Sequence, residues 1–367
     1  MYIEDRNLKN EELVSFNLRN IYRKYGYSCF KMSKFEEYDL YSNNKDFLIS
    51  DSVITFTDTN GKLMALKPDV TLSIVKNYKD SNKGIQRVYY NENVYRISDK
   101  THQYKEIMQV GLECIGNIDL YNIYEVVGLA AESLKSISDN AVLNISHLGI
   151  LSELFSGINL QPEKKNEIIK CVGQKNPHGV GELCELYNVP EKAKNMLIYL
   201  ATAYGNASDV LSFVRDNTDN ETIKKYTEEL ETLAKQISQS YDINIHVDLS
   251  LIYDMNYYNG IVFQGFIEGV PTGVLSGGQY DNLMTKVGHK AKAIGFAVYI
   301  DLLERIHKVE AYTVDILLLY TEKDNIHDVQ KRVWDIISEG KSVSAQTVIP
   351  DNLNYRCIEY FKGGEKL

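Results

Sequence analysis

The sequence predicts an α+β fold: a main domain on an antiparallel sheet flanked by helices, interrupted by a helical insert and followed by a small α/β appendix. Three observations predict it. Strand-type runs gather in the first 116 residues and resume near 243, helical periodicity fills about 150–240, and strand and helix signals alternate after about 312. The proposed boundaries are 1–150 with 241–311 for the main domain, 151–240 for the insert and 312–367 for the appendix. The 367 residues carry 40 Lys+Arg against 50 Asp+Glu, a formal net charge of −10. At roughly 100–200 residues per domain, such a chain suits two or three domains. Apolar residues at 44% and charged residues at 25% exclude a disordered chain. The acidic balance removes a broad basic surface, the simplest route to nucleic-acid binding. Five cysteines without a CxxC pair give neither a disulfide framework nor a zinc site, so no metal ligand is assigned. The first residues, MYIEDRNLKNEELVSF, contain no apolar signal core, and no run approaches ~18 uninterrupted apolar residues. A reduced, cytoplasmic protein off the membrane is expected.

The elements follow in order. Residues 9–26 place Leu13, Phe16, Ile21 and Tyr22 near helical spacing, with Gly26 as a stop. SVITFTD (52–58) and KLMALKP (62–68) flank Asn60-Gly61, a strong hairpin signal. Residues 84–116 read as two long strands joined by a polar loop near 97–103, and 122–139 as a helix. In the insert, Pro162, Pro177 and Pro190 separate short helices. Ile223, Tyr226, Leu230, Leu233 and Ile237 then form one apolar stripe. This insert reads as all-helical and without chemistry of its own. Strands are expected at 243–252 and 258–268 and in the SGGQYDNL and AIGFAVYIDLLERI segments. The appendix reads as β-α-β-α, with its last helical piece at 351–361.

Strand 105–116 carries the most chemistry. Its side chains alternate faces. Met108, Val110, Leu112 and Cys114 make one apolar face; Gln109, Gly111 and Glu113 make the other, with room above the glycine. Asn256, Tyr258 and Gly260 repeat the polar–aromatic–glycine pattern on a second expected strand. An amide, a carboxylate and a phenol suit a small cationic or imidazole-bearing ligand; no GxxxxGK[ST] phosphate loop is present. A solvated polar sheet face explains the same alternation. The seven histidines are scattered, without HExxH, and read as structural or surface residues.

Five segments in order resemble the motif set of histidyl-tRNA synthetases: LKPDVTLSIVK (66–76), VYRISDKTHQYKEIMQVGLECIG (94–116), YDMNYYNGIVFQ (253–264), LSGGQYDNL (275–283) and AIGFAVYIDLL (293–303). The resemblance implies the class II aminoacyl-tRNA synthetase fold, a six- to seven-stranded antiparallel sheet flanked by helices. It also implies a histidine site: Asp69, Thr71 and Gln109 at the ammonium group, and Glu113 and Tyr258 at the imidazole, with Tyr257 beside it. Asp69 stands where that family has Glu. Arg96, at the start of the motif 2 loop, and Tyr95 are candidates for the ligand carboxylate.

The departures concern cations. A later loop arginine of the synthetases is Gln103 here, the arginine opening the RGLDYY-type motif is Tyr253, and the motif 3 arginine falls on Leu302, with Arg305 three positions on. In motif 1, Ser33 stands where a proline is usual. Losing one preorganised electrostatic group costs on the order of 10²–10³ in rate, and neither tyrosine nor leucine replaces a guanidinium on phosphate. A pocket without its catalyst is similar to the regulatory subunits of ATP phosphoribosyltransferase, as is the 150–240 region. This second resemblance implies a non-catalytic protein with no catalytic residue and no cofactor. Its partner would be a short-form catalytic transferase subunit and its feedback effector histidine, with a homodimer inside a hetero-oligomer and no tRNA. The appendix resembles the start of the synthetase anticodon-binding domain. The alternative is a divergent, active histidyl-tRNA synthetase.

Overall fold

The computed structural model describes residues 9–44, 53–80, 84–98, 101–252, 255, 257–306 and 312–361. Two compact units divide between residues 305 and 306. In chain order the first runs α1 (Asn10–Lys24), β1 (Ser28–Cys29), β2 (Phe35–Glu37), α2 (Tyr38–Ser42), β3 (Thr55–Thr57), β4 (Leu63–Leu66), α3 (Thr71–Asn77), β5 (Gln86–Ile97), β6 (Tyr104–Gly116), α4 (Leu120–Ile137), β7 (Ala141–His147) and α5 (Leu148–Ser156). Next come α6 (Pro162–Gly173), α7 (Pro177–Leu186), α8 (Glu191–Thr202), β8 (Tyr204–Gly205), α9 (Ala207–Asp216) and α10 (Glu221–Tyr241). The unit closes with β9 (Asn244–Asp248), β10 (Ile261–Ile267), β11 (Leu275–Gln279), α11 (Asp281–Lys286), β12 (Lys292–Tyr299) and all but the last residue of a 3₁₀ turn, Ile300–Ile306.

Nine strands form the large sheet in the order β1-β5-β6-β12-β11-β10-β7-β9-β8. The expected antiparallel sheet is therefore larger and mixed. The two-residue strands β1 and β8 extend its edges, and β1 on β5 and β7 on β9 are parallel pairs. The Asn60-Gly61 hairpin forms between β3 and β4, with Gly61 at φ +80° where a side chain would be strained. The strands belong to a separate three-stranded sheet, β2-β4-β3; Ser52, at the start of the expected run, lies outside the described residues.

One face of the large sheet is covered by α1, α4 and α10. Tyr22 of α1 lies edge-on to Phe296 at 5.8 Å, Leu134 of α4 packs where a Cβ on Gly265 would sit, and Tyr226 of α10 stacks on His147 at 4.2 Å. The buried face of α1 is Val14, Leu18, Ile21 and Tyr22, spaced i, i+4, i+7 and i+8, while Phe16 stays 40% exposed. The expected Leu13/Phe16 face is thus rotated by about one position. Asp119 caps α4: its Oδ1 accepts from the Asn122 amide at 3.1 Å, and Asn122 Oδ1 accepts from the Asp119 amide at 3.1 Å. Asp119→Ala should cost ~1 kcal/mol, read as a lower melting temperature with unchanged near-ultraviolet dichroism.

The 151–240 region is helical apart from β8, which pairs antiparallel with β9 and so joins the region to the large sheet. The second unit is β13 (Val314–Leu319), α12 (Ile326–Ser338), β14 (Val343–Gln346) and β15 (Tyr355–Tyr360), a parallel sheet in the order β14-β13-β15. The helical piece expected at 351–361 is the strand β15 instead. Pairing with the leucine-rich β13 decides its conformation, and Arg332 of α12 fixes Glu359 through two bonds of 2.6 and 2.8 Å.

Candidate functional site

The other face of the large sheet builds the site. Residues directly opposite on neighbouring strands point to the same side. Tyr90 lies opposite Gly111 and Glu92 opposite Gln109; on the next strand Gly295 lies opposite Glu113 and Tyr299 opposite Gln109. Gln109, Gly111 and Glu113 therefore share one face, as the alternation predicts, while Val110, Leu112 and Cys114 are buried on the helix-covered side. A solvated sheet face is ruled out, because Gln109 and Glu113 are only 4% and 2% exposed. The room expected above Gly111 is filled from within: a Cβ there would meet the Tyr90 hydroxyl at 2.4 Å.

Glu113 is the centre of the site. Thr71, the first residue of α3, donates its hydroxyl to Oε1 at 2.7 Å, and Tyr280, just after β11, donates to Oε2 at 2.6 Å. Gly295 lies beneath the carboxyl, where a Cβ would come within 1.7 Å of Oε2. Burial pushes the Glu113 acid up to about 8. The two hydroxyl bonds oppose that rise, and the charge of nearby Asp69 adds to it.

Asp69 precedes α3, and its Oδ1 accepts from the Leu72 amide at 2.8 Å. Burial raises its acid as well, opposed by that amide bond and by the Arg96 and Lys67 charges. Arg96 is pinned to the same loop, its Nε donating to the Pro68 carbonyl at 3.0 Å. Lys67 is fully buried and pairs with Glu92 at 2.9 Å.

The aromatic wall comes from the segment before β10. Tyr257 and Tyr258 lie 4.5 Å apart, with Tyr280 5.8 Å from Tyr257. Tyr258 rests against Gly278, where a Cβ would approach its Cδ1 to 2.8 Å. The expected strand at 258–268 begins only at Ile261, so Tyr258 and Gly260 sit in a loop rather than alternating on a strand. Asn256 lies outside the described residues. The Gln279 side chain accepts from the Ile261 amide at 2.7 Å and stabilises that loop end.

Sequence reasoning missed two members. Tyr280 follows directly on the SGGQ run, and Tyr90 is the cross-strand partner of Gly111; only the strand register discloses either. Of the positions where synthetase arginines are missing, Gln103 is exposed, Leu302 is half-buried in the 3₁₀ turn, and Tyr253 lies outside the described residues. Among the described residues no group of three or more His, Cys, Asp or Glu is placed to hold a metal, and no helix is long and apolar enough to cross a membrane. The arrangement is a buried, hydrogen-bonded cradle of phenols and carboxyls suited to holding a small polar ligand.

The profile described as histidyl-tRNA synthetase matches residues 3–303. The chain belongs to the histidyl-tRNA synthetase family. Within the family it is 29% identical over 300 residues to an ATP phosphoribosyltransferase regulatory subunit from Oceanobacillus iheyensis, across 81% of this chain and 73% of that protein. A solved ATP phosphoribosyltransferase regulatory subunit/histidyl-tRNA synthetase from Bacillus halodurans superposes with a TM-score of 0.78 at 23% identity, covering 98% of this chain and 99% of that one. The ATP phosphoribosyl transferase HisG:HisZ complex from Thermotoga maritima contains a chain that matches with a TM-score of 0.63 at 17% identity, covering 82% of this chain and 98% of that one. The fold is that of class II aminoacyl-tRNA synthetases.

Proposed function

We propose that this chain is the regulatory subunit of ATP phosphoribosyltransferase in histidine biosynthesis, binding histidine as feedback effector and working with a short-form catalytic subunit. The observation that carries the ligand reading is Glu113, buried yet oriented through both oxygens by Thr71 and Tyr280. An imidazole brought against that carboxyl supplies the charge its burial lacks. Thr71, Asp69 and Gln109 hold the ammonium group, Tyr257 and Tyr258 flank the ring, and Arg96, pinned to the Pro68 carbonyl beside Asp69, receives the carboxylate. The relatives' names support the partner, and the residues at 103, 253 and 302 support the absence of catalysis. Adenylate formation gathers negative charge on phosphate, and a glutamine, a tyrosine and a leucine cannot offset it.

Mixing the purified chain with a short-form catalytic transferase is the test. Transferase activity should rise on mixing and fall when histidine is added, while the chain alone should give no histidine-dependent pyrophosphate–ATP exchange. Appreciable exchange by the chain alone would establish the second reading, an active histidyl-tRNA synthetase, which the family profile favours.

A further inference from the structure

Away from the cradle, the helical region and the large sheet meet at one polar knot. Beyond α6, Lys175 adopts φ +54°, a left-handed conformation that a side-chain-bearing residue rarely enters. Its Nζ lies 2.9 Å from Asp248 Oδ2 and 5.2 Å from the centroid of the Tyr204 ring. Asp248 ends β9 with its side chain only 7% exposed, and its Oδ1 accepts from the Ser250 amide at 3.1 Å and hydroxyl at 2.5 Å. Tyr204, opposite Asp248 on β8, meets His246 Nδ1 at 2.7 Å.

Described residues just beyond this knot share a packing cluster with Tyr258 of the aromatic wall. Leu148, Leu251 and Val262 form a small buried cluster, and Ile252, Met255 and Tyr258 pack on it. A Cβ on Gly173, at the end of α6, would touch Ile252 at 3.8 Å. Leu200 of α8 lines one cleft with Leu249 and Ile252. Exposed ion pairs generally contribute little, but here one partner is a buried carboxylate that loses its lysine counter-charge when position 175 is neutralised.

We infer that Lys175 is a positioning residue: held on Asp248, it fixes Leu251 and Ile252 in the cluster on which Tyr258 packs and so couples the helical region to the ligand cradle. This rests on the histidine reading above. Such coupling is reciprocal, so a ligand against Tyr258 must also steady α6 and the α6–α7 turn.

Calorimetric titration with histidine and hydrogen exchange of the full-length chain test it together. In the wild type, histidine should slow exchange across 245–260 and also across 162–176. Lys175→Met should bind histidine about 5- to 30-fold more weakly and, at saturating histidine, lose the slowing at 162–176 while keeping it at 245–260. Lys175→Arg should restore both. Asp248→Asn, which keeps the Ser250 contacts, gives the same readout from the other side if the lysine variant does not fold. Unchanged affinity in the neutralised variants, persisting protection of 162–176, or its absence in the wild type overturns the coupling. A wild type that binds no histidine overturns the pocket reading, and the coupling with it.

Discussion

Glu113→Gln is expected to weaken histidine binding roughly 10- to 100-fold, the ~1.5–3 kcal/mol of a charge-assisted hydrogen bond, while leaving the fold intact. The amide keeps the shape of the carboxyl, and the hydroxyls of Thr71 and Tyr280 can rotate to meet either end of it. A second consequence concerns pH. The folded acid is raised to about 8 from an ordinary value of 4.5. Between those values the native state binds more protons than the unfolded chain, so stability falls as pH rises through that window and levels off above about 8. The loss amounts to ~3–5 kcal/mol, because each pH step of one across the window costs about 1.4 kcal/mol. Glu113→Gln removes the titrating group. Unfolding experiments from pH 5 to 9 should show the variant losing much less stability than the wild type, and equal slopes would refute the burial argument. Saturating histidine should flatten the wild-type slope in the same way.

Gly295→Ala should be the most damaging single methyl group in the chain. Its Cβ would fall 1.7 Å from Glu113 Oε2 and 2.5 Å from the Leu112 carbonyl. Backbone on the neighbouring strand cannot retreat, so the carboxyl must leave Thr71 or Tyr280, or the β6–β12 pairing must open. A cost of at least ~1–3 kcal/mol is expected from overpacking, together with loss of measurable histidine binding. The control is Gly269→Ala, whose Cβ position is free of neighbours within 4 Å but whose φ of +83° strains the backbone. It should lower the melting temperature without touching ligand affinity. Retained binding in Gly295→Ala would show that the Glu113 geometry is not what the ligand reads.

Much of the site is legible in the sequence because a strand enforces a period of two. Once Gln109, Gly111 and Glu113 are placed on one strand, their common face follows, and so does the burial of Cys114 on the other. The 105–116 strand and the Asn-Gly hairpin rest on equally local rules. What local rules cannot supply is pairing. Tyr90 joins the site because β5 runs antiparallel to β6 in one register, and nothing in its own neighbourhood marks it. Tyr258 looks strand-like by alternation but lies in a loop, because the β10 pairing with β7 starts only at Ile261. The 355–360 strand escapes a local reading for the same reason: its partner, β13, lies some forty residues earlier, and a short segment with weak periodicity takes the conformation of whatever it pairs with.

Three strands in succession, β6, β12 and β11, put a glycine under the cradle, at Gly111, Gly295 and Gly278, and a ring or carboxyl rests directly on main chain at each. Main chain locked in a sheet has no rotamers to change. An arriving effector would thus press on an unyielding bed, and any displacement it causes must be taken up sideways, by the aromatic loop and the helices tied to it. Under the histidine reading, occupancy would be reported outward through the rim, with the floor as the fixed reference.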